Sequence, residues 1–276
     1  MLKSFITLEK SKIDSIAIGG FDGVHLAHQQ LISKLSKNGA LLIVNRGGIG
    51  LTPGAERCLY HDKQCMILEF AKIKDIEAEE FVAFLQNEFI NLQKIVIGYD
   101  FLFGKNRKGD LKLLKTLFSG EIEVVNEFFY EGISVHSGKI KEFLSLGDVK
   151  QANALLGRAY AVKGNVISGQ GLGKKALYPT LNLSCGSFFL PKEGVYATKV
   201  KANGRTYPSV TFIGKRLSTD AAFSIETHIL DVDFEEEVTR VELFFSGYLR
   251  ENKKFDDLRD LKAQITRDIE AAKLMR

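Results

Sequence analysis

Two short stretches of this chain concentrate residues able to handle phosphate. In residues 169–182, GQGLGKKALYPTLN, the glycines Gly169, Gly171 and Gly173 and the cation Lys174 precede Pro179-Thr180-Leu181-Asn182. Glycines lack a Cβ and let backbone N–H groups approach phosphate oxygens, and the lysine adds charge. Thr180 and Asn182 stand two apart, on one face of an extended chain, and can offer neutral oxygens to Mg²⁺. The same composition also describes a hairpin turn with a solvated basic tip. The second stretch is the turn Gly19-Gly20-Phe21-Asp22-Gly23, followed by His25 and His28 at the start of an apolar-periodic segment. Histidines three apart at a helix start project from one face near the positive end of the helix dipole. There they can bond phosphate oxygens and follow the charge that builds on an α-phosphate during nucleotidyl transfer. No third histidine joins them, so the spacing does not indicate a metal site. An isolated pair would read as two surface histidines; the preceding strand and glycine turn favour the phosphate role.

The rest of the chain must supply the framework. Its 276 residues suggest two domains, on a prior of ~150 residues per domain. With 45% apolar and 26% charged residues and a mean hydropathy near zero, the composition is that of an ordinary globular protein. No apolar run approaches the ~20 residues of a membrane helix. The opening MLKSFITLEKSK is too polar for a signal-peptide core. A cytoplasmic protein without a membrane partner is expected. Cys58, Cys65 and Cys185 show no CxxC spacing and make an odd count, so they read as plain thiols, neither a disulfide framework nor a zinc site. The net charge of +4 is spread along the chain, with acidic residues at 77–80 and 231–237. That suits an anionic small substrate better than a nucleic-acid backbone.

Residues 15–18, 40–44, 66–70 and 94–98 read as short buried strands. They alternate with a helix beginning near His25 and an amphipathic helix over 77–89 that carries Phe81, Phe84 and Leu85 on one face. Such alternation predicts a parallel sheet with helices packed on it, whose ligands gather beyond the carboxyl ends of the strands. GGFDGVHLAH and GYDFLFGKNRKGD are expected there together. Asp110 can cap a helix reaching Phe118, residues 121–129 alternate like a strand, and helices are expected over 137–146 and, capped by Asp148, over 148–155. From Tyr160 the pattern changes to short strands over 160–168, 195–202, 207–214, 223–233 and 239–249, which predicts a small antiparallel barrel or sandwich. A last helix over 258–274 would cover it through Leu261, Ile265 and Ile269. The domain boundary is expected near Gly157, giving domains 1–156 and 157–276.

Several of these motifs occur together in one known family. GGFDGVHLAHQQLI resembles the GxFDGxHxGH signature of the FAD synthetase module in the bacterial bifunctional riboflavin kinase/FAD synthetase family, which belongs to the HxGH nucleotidyltransferases. GYDFLFGKNRKGD is similar to that family's second motif, and GDVKQANALLGRAY to its linker. Residues 169–182 resemble the riboflavin kinase loop with its PTxN motif. LPKEGVYATKV, SIETHILD and KKFDDLRDLKAQITRDIEAA are similar to later kinase segments, and the match is colinear over nearly the whole chain.

The resemblance implies an α/β nucleotidyltransferase-like parallel-sheet domain followed by a six-stranded antiparallel β-barrel with a C-terminal helix. In the barrel half it implies transfer of the ATP γ-phosphate, as the Mg²⁺ complex, to the ribityl 5′-hydroxyl of riboflavin. Thr180 and Asn182 would be metal ligands, Gly169, Gly171, Gly173 and Lys174 the phosphate loop, and Glu226 the catalytic carboxylate. In the first half it implies adenylylation of FMN to FAD, with His25 and His28 steadying the transition state. Gly19, Gly20, Phe21, Asp22, Gly23, Arg107, Ser137 and Lys141 would hold phosphate or flavin, although Asp22 is equally readable as a structural turn residue. The chain departs from the family pattern where Ala27 replaces the glycine of HxGH, where Asn45-Arg46-Gly47-Gly48 lacks a proline and histidine motif, and where residues 136–141 replace a Ser-Ser-Thr-x-x-Arg-like motif. In the kinase half, Leu177 replaces a glycine and IGKRLSTD departs from IGxxPTF. A riboflavin kinase with a degenerate first domain, or a non-catalytic flavin- or nucleotide-binding regulator, are the alternatives.

Overall fold

The computed structural model describes residues 9–168, 178–218, 220–232 and 238–275. The chain divides into two compact units, Met1–Ser137 and Gly138–Arg276. In the first, strands β1 (Ser15–Gly19), β2 (Gly39–Asn45), β3 (Gln64–Glu69), β4 (Lys94–Gly98) and β5 (Glu121–Val125) form one parallel sheet in the order β3-β2-β1-β4-β5. Its helices are α1 (Leu26–Ser33), α2 (Phe70–Ile73), α3 (Ala78–Glu88) and α4 (Leu111–Leu117).

Strand alternation explains why the central strands are apolar at every position. Ile16, Ile18, Ala40, Leu42, Ile95 and Ile97 pack on one face with α3 and α4, while Ala17, Leu41, Ile43 and Val96 pack on the other with Leu31 and Leu35. Both faces are covered, so neither parity of the strand can be polar. Two boundaries differ from the sequence expectation. Phe70 leaves the third strand to open α2, and the strand expected over 121–129 ends at Val125. Beyond it β6 (Phe129–Tyr130) turns back onto β7 (Ile133–Ser134) through Glu131 and Gly132, both at positive φ, a two-residue hairpin that takes these residues off the parallel sheet.

In the second unit, α5 (Ser137–Leu146, whose first residue closes the first unit) and α6 (Val149–Leu156) precede the strands. The strands are β8 (Tyr160–Ile167), β9 (Leu181–Ser184), β10 (Gly194–Ala202), β11 (Arg205–Lys215), β12 (Phe223–Ile229) and β13 (Arg240–Arg250). They close into an antiparallel barrel in the order β10-β11-β12-β9-β8-β13. Asp148 caps α6, as expected from the sequence, and Gly157 ends it in the left-handed conformation. Asn153 ties α6 to the barrel: its amide donates to the Phe245 carbonyl at 2.9 Å and its side-chain oxygen accepts from the Tyr160 N–H at 2.6 Å. The strands therefore begin at Tyr160, whereas the packing unit begins at Gly138, with the helices that precede the barrel.

The barrel core mixes aromatic and hydroxyl groups. Tyr196 meets Phe245 edge-on at 5.3 Å, and Thr198, Ser209, Thr211 and Thr227 satisfy one another at 2.7–2.9 Å in a buried chain of hydroxyls. The outer face at Val195, Ala197, Val210 and Phe212 is covered by α7 (Leu258–Leu274) through Ile265, Ile269 and Ala272. Arg250, at the end of β13, grips Asp268 of α7 with Nε to Oδ1 at 2.9 Å and Nη2 to Oδ2 at 2.8 Å. Asp268 is 5% exposed and also accepts from Gln264 at 2.9 Å. Removing one partner of a buried ion pair strands the other. Asp268→Ala is therefore expected to destabilise the second unit by about 2–3 kcal/mol, less than a fully buried pair because Arg250 reaches solvent; calorimetry should show one unfolding transition lowered and the other unmoved.

Candidate functional site

The doubly wound order places the reversal of strand sequence between β1 and β4, where ligands of such sheets bind. The turn after β1 and the loop after β4 leave these adjacent strands at that edge, so the two phosphate-type motifs expected together are neighbours. The turn is tightly built. Phe21 and Val24 are fully buried and hold positive φ of 50° and 41°, while Gly23 stands at 89°. Their side chains are withdrawn into the core, and the Val24 N–H donates to the Phe21 carbonyl at 3.1 Å. Gly20 is open, with nothing within 4 Å of where a Cβ would lie.

His25 is the N-cap of α1, its Nδ1 accepting the His28 N–H at 3.4 Å. A neutral His25 with that hydrogen bond carries its own proton on Nε2. The rings of His25 and His28 stack with centroids 3.7 Å apart, so the pair does come together at the helix start. Ala27 lies between them in the first turn.

A polar relay that the sequence did not expose fixes this turn. The Gly23 N–H donates to Thr52 Oγ1 at 2.7 Å, the Thr52 N–H donates to Asp22 Oδ1 at 3.0 Å, and Arg57 Nε donates to the Thr52 carbonyl at 2.9 Å. Thr52 and Arg57 are 1% and 6% exposed. Burial lowers the Arg57 pKa and the nearby Asp22 carboxylate opposes that effect. Asp22 thus acts structurally here, and the Gly23 N–H faces Thr52.

In the loop after β4, Gly104 (φ 69°) passes so close to α3 that a Cβ would sit 2.8 Å from Ala78 Cα. Gly109 lies beneath the Phe103 ring, and Phe103 and Gly109 exchange backbone hydrogen bonds at 3.0 and 2.9 Å. The two glycines close a small loop that presents Arg107, itself at φ 58°, to a cleft lined also by Tyr99, Asp100, Asp110 and Lys112. Asp110 caps α4 through the Leu113 N–H at 2.8 Å. Ser137 is the last residue of the first unit, while Lys141 lies in the second with its ammonium 5.9 Å over the Phe189 ring.

In the barrel, Asn182 on β9 stands directly opposite Glu226 on β12. Directly paired residues on antiparallel strands share a face, with Cβ atoms about 4.5–5.5 Å apart. Ile225, Thr227 and Ile229 fill the interior, so Glu226 faces outward, opposite Phe212 on its other side. The short strand β9 was not expected from sequence, and it is what brings the motif to the carboxylate.

The residues around this pair set its geometry. His228, two positions beyond Glu226 and so on the same face, bonds the Pro179 carbonyl through Nδ1 at 2.7 Å. Tyr178 packs on the His228 ring and its hydroxyl meets Thr266 of α7 at 3.0 Å. The chain entering Thr180 is thereby held from β12 and from α7. Arg216, in the hairpin after β11, lies 3.5 Å from Glu226 Oε1 and forms a bidentate pair with Asp220 at 2.9 and 2.7 Å. His228 was detectable in SIETHIL from strand periodicity alone; Arg216 was not. Gly169, Gly171, Gly173, Lys174 and Leu177 lie outside the described residues.

The donor set at Asn182 and Thr180 is oxygen only and carries no charge, with Glu226 as the adjacent carboxylate. That fits a hard cation that retains water and shares phosphate oxygens, as Mg²⁺ does.

Fold and sites together define a class: a doubly wound sheet with a glycine turn and two stacked histidines after its first strand, followed in the same chain by a closed six-stranded barrel with a PTxN entry. A riboflavin kinase family model matches residues 156–275 and an FAD synthetase family model matches residues 61–139. The bifunctional riboflavin kinase/FMN adenylyltransferase of Bacillus subtilis (strain 168) is 30% identical over 294 residues, covering 93% of this chain and 90% of its own. Its counterpart in Haemophilus influenzae is 30% identical over 287 residues, covering 94% and 93%. A solved structure described as a macrolide-efflux protein from Streptococcus pneumoniae has a TM-score of 0.83 at 26% identity, over 95% of this chain and 94% of that one. Among the described residues no helix is long and apolar enough to cross a membrane. The chain belongs to the bifunctional riboflavin kinase/FMN adenylyltransferase family.

The relay at the first turn has a direct test. Thr52→Val leaves the buried Gly23 N–H without its acceptor and is expected to destabilise the first unit by about 1–3 kcal/mol. Thr52→Ser should recover most of that loss in urea titrations.

Proposed function

We propose that this chain phosphorylates riboflavin to FMN with ATP and then adenylylates FMN to FAD with a second ATP, releasing pyrophosphate. The first reaction is assigned to the barrel domain, 157–276, and the second to the parallel-sheet domain, 1–156. Family membership supports the two activities, and the pairing of Asn182 with Glu226 across β9 and β12 is the observation that carries the kinase assignment.

The ribityl 5′-hydroxyl is a poor nucleophile. Glu226 is assigned the task of orienting it and accepting its proton as the oxygen attacks the γ-phosphorus of ATP, with ADP leaving. Thr180 and Asn182 are the neutral donors that would hold Mg²⁺ with ATP, an ion that neutralises phosphate charge. Gly169, Gly171, Gly173 and Lys174 are assigned to the ATP phosphates on their sequence. His228 holds the Pro179 carbonyl and so steadies the entry to Thr180. In the other domain, a phosphate oxygen of FMN attacks the α-phosphorus of ATP. His25 and His28 are assigned hydrogen bonds to the transferring phosphate, supported by their stacking at the start of α1. Gly19, Gly20, Arg107, Ser137 and Lys141 are assigned to phosphate or flavin. Substrates are small molecules and neither nucleic acid nor membrane takes part; a cytoplasmic location belongs to the same proposal.

One observation favours a second assignment, a riboflavin kinase whose first domain no longer adenylylates: Ala27 puts a methyl group in the first turn of α1 where the family signature has glycine. Chromatography of products from riboflavin, ATP and Mg²⁺ decides between the two. FAD is the expected end product; FMN accumulating alone, even with pyrophosphatase added, would select the kinase-only assignment. Glu226→Gln is expected to lower FMN formation by at least about 10²-fold while FAD formation from supplied FMN continues. His28→Ala should do the reverse, and an unchanged FAD rate would remove that histidine from the mechanism.

A further inference from the structure

Arg216 stands between two carboxylates at the edge of the barrel site, and the bonds around it fix its direction. It lies in the loop joining β11 to β12, within IGKRLSTD, the segment in which this chain departs from the family pattern. The loop is closed by its own backbone: the Arg216 N–H donates to the Ala222 carbonyl at 3.0 Å, and the Ala221 N–H donates to the Arg216 carbonyl at 3.1 Å. It is also fastened to the chain beyond β13. The Asn252 amide donates to the Lys215 carbonyl at 2.7 Å, and the Phe255 N–H donates to Ser218 Oγ at 2.9 Å. Arg216 therefore leaves a loop restrained from both sides.

The guanidinium divides its nitrogens between the two acids. Nε and Nη2 donate to Asp220 Oδ1 and Oδ2 at 2.9 and 2.7 Å, and Asp220 Oδ1 also accepts the Ala222 N–H at 3.2 Å. A fork of this kind fixes the plane of both groups. Nη1, the remaining nitrogen, lies 3.5 Å from Glu226 Oε1. The difference in length separates the roles: Asp220 holds the arginine, and the arginine makes one looser, directional contact with Glu226. A fork on Glu226 itself would engage both oxygens of the carboxylate; a single contact at Oε1 leaves Oε2 for a substrate hydroxyl. The Arg216 and Glu226 side chains are only 20% and 22% exposed, so their contact is screened less than that of a surface pair.

We propose that Arg216 is a positioning residue for riboflavin phosphorylation, held in plane by Asp220 and turning the Glu226 carboxylate so that Oε1 faces the arginine and Oε2 the substrate hydroxyl. The proposal rests on the assignment of Glu226 above. In that step the hydroxyl oxygen bonds the γ-phosphorus and the bond from that phosphorus to the bridging oxygen breaks. ADP leaves with the electron pair, and the hydroxyl proton passes to Oε2. Arg216 neither gives nor takes a proton. Misplacing a positioned group by about 1 Å is enough to cost ~10²-fold in rate, so the effect of losing Arg216 falls on turnover and not on substrate binding.

The test compares the full chain with Arg216→Met, Arg216→Lys and Asp220→Asn, each checked by calorimetry for the wild-type unfolding transition of the second unit. Arg216→Met is expected to lower kcat for FMN formation by about 10- to 100-fold, with the KM values for riboflavin and ATP held within about twofold. Arg216→Lys keeps the charge without the fork and should recover little of that loss. Asp220→Asn weakens the fork and should lower kcat in the same sense, by less. Because Arg216 acts through Glu226, adding Arg216→Met to the Glu226→Gln chain should cause no further loss. A raised KM with kcat kept, full recovery by lysine, or an equal loss from Arg216→Met in the two backgrounds would each overturn the proposal. Should Arg216→Met fail to fold, Arg216→Lys and Asp220→Asn carry the same comparison. A wild-type chain that forms no FMN, or Glu226→Gln turning over at the wild-type rate, removes the assignment of Glu226 and the proposal with it. A damaging Glu226→Gln beside a fully active Arg216→Met removes the positioning role alone.

Discussion

The short ladder between β9 and β12 is the constraint on which the second unit depends. β9 has only four residues, yet it joins β8 to β12 and so closes the barrel. The same ladder aligns Asn182 with Glu226. A shift of one residue in register would send Asn182 to the interior face, beside the buried hydroxyls, and leave Glu226 opposite an apolar side chain. Barrel closure and the alignment of this pair are therefore coupled. The surrounding bonds, His228 to Pro179 and Tyr178 to Thr266, add directional restraint where a four-residue strand alone supplies little.

The first unit solves a comparable problem with buried polar groups. A tight turn with Phe21, Gly23 and Val24 at positive φ is unfavourable in isolation, particularly for the bulky side chains. Burial of Phe21 and Val24 and the Asp22, Thr52 and Arg57 bonds hold it. Taking an arginine out of water is unfavourable, and the nearby Asp22 carboxylate offsets part of that. The turn is consequently rigid where nucleotide phosphates would approach, and dependent on a segment some thirty residues further along the chain.

Much of the architecture was legible because it rests on local rules. The strands of the parallel sheet, the caps Asp110 and Asp148, and α7 follow from apolar periodicity and side-chain capping, each decided within a few residues. His25 and His28 meet because positions three apart on a helix must. The misses have equally local reasons. β9 is too short for alternation to declare itself. Residues 121–129 alternate throughout, but Glu131 and Gly132 turn the chain back and Phe129 pairs elsewhere. Thr52 and Arg57 sit in LTPGAER, which offers no pattern until Gly23 is brought against it.

By itself the sequence determined which candidate groups the chain offers, namely the paired histidines behind a glycine turn, the PTxN segment and the carboxylate of SIETHIL, together with the change from β/α alternation to successive strands. These are matters of side-chain type and short-range spacing, which the chain holds whether folded or not. Tertiary structure decided which of those groups face one another. Asn182 meets Glu226, Arg216 reaches the same carboxylate, and Arg57 holds the Thr52 carbonyl beside the turn of Gly23. Each is a pairing between separate segments, set by strand register and by burial of polar groups that must find partners once removed from water.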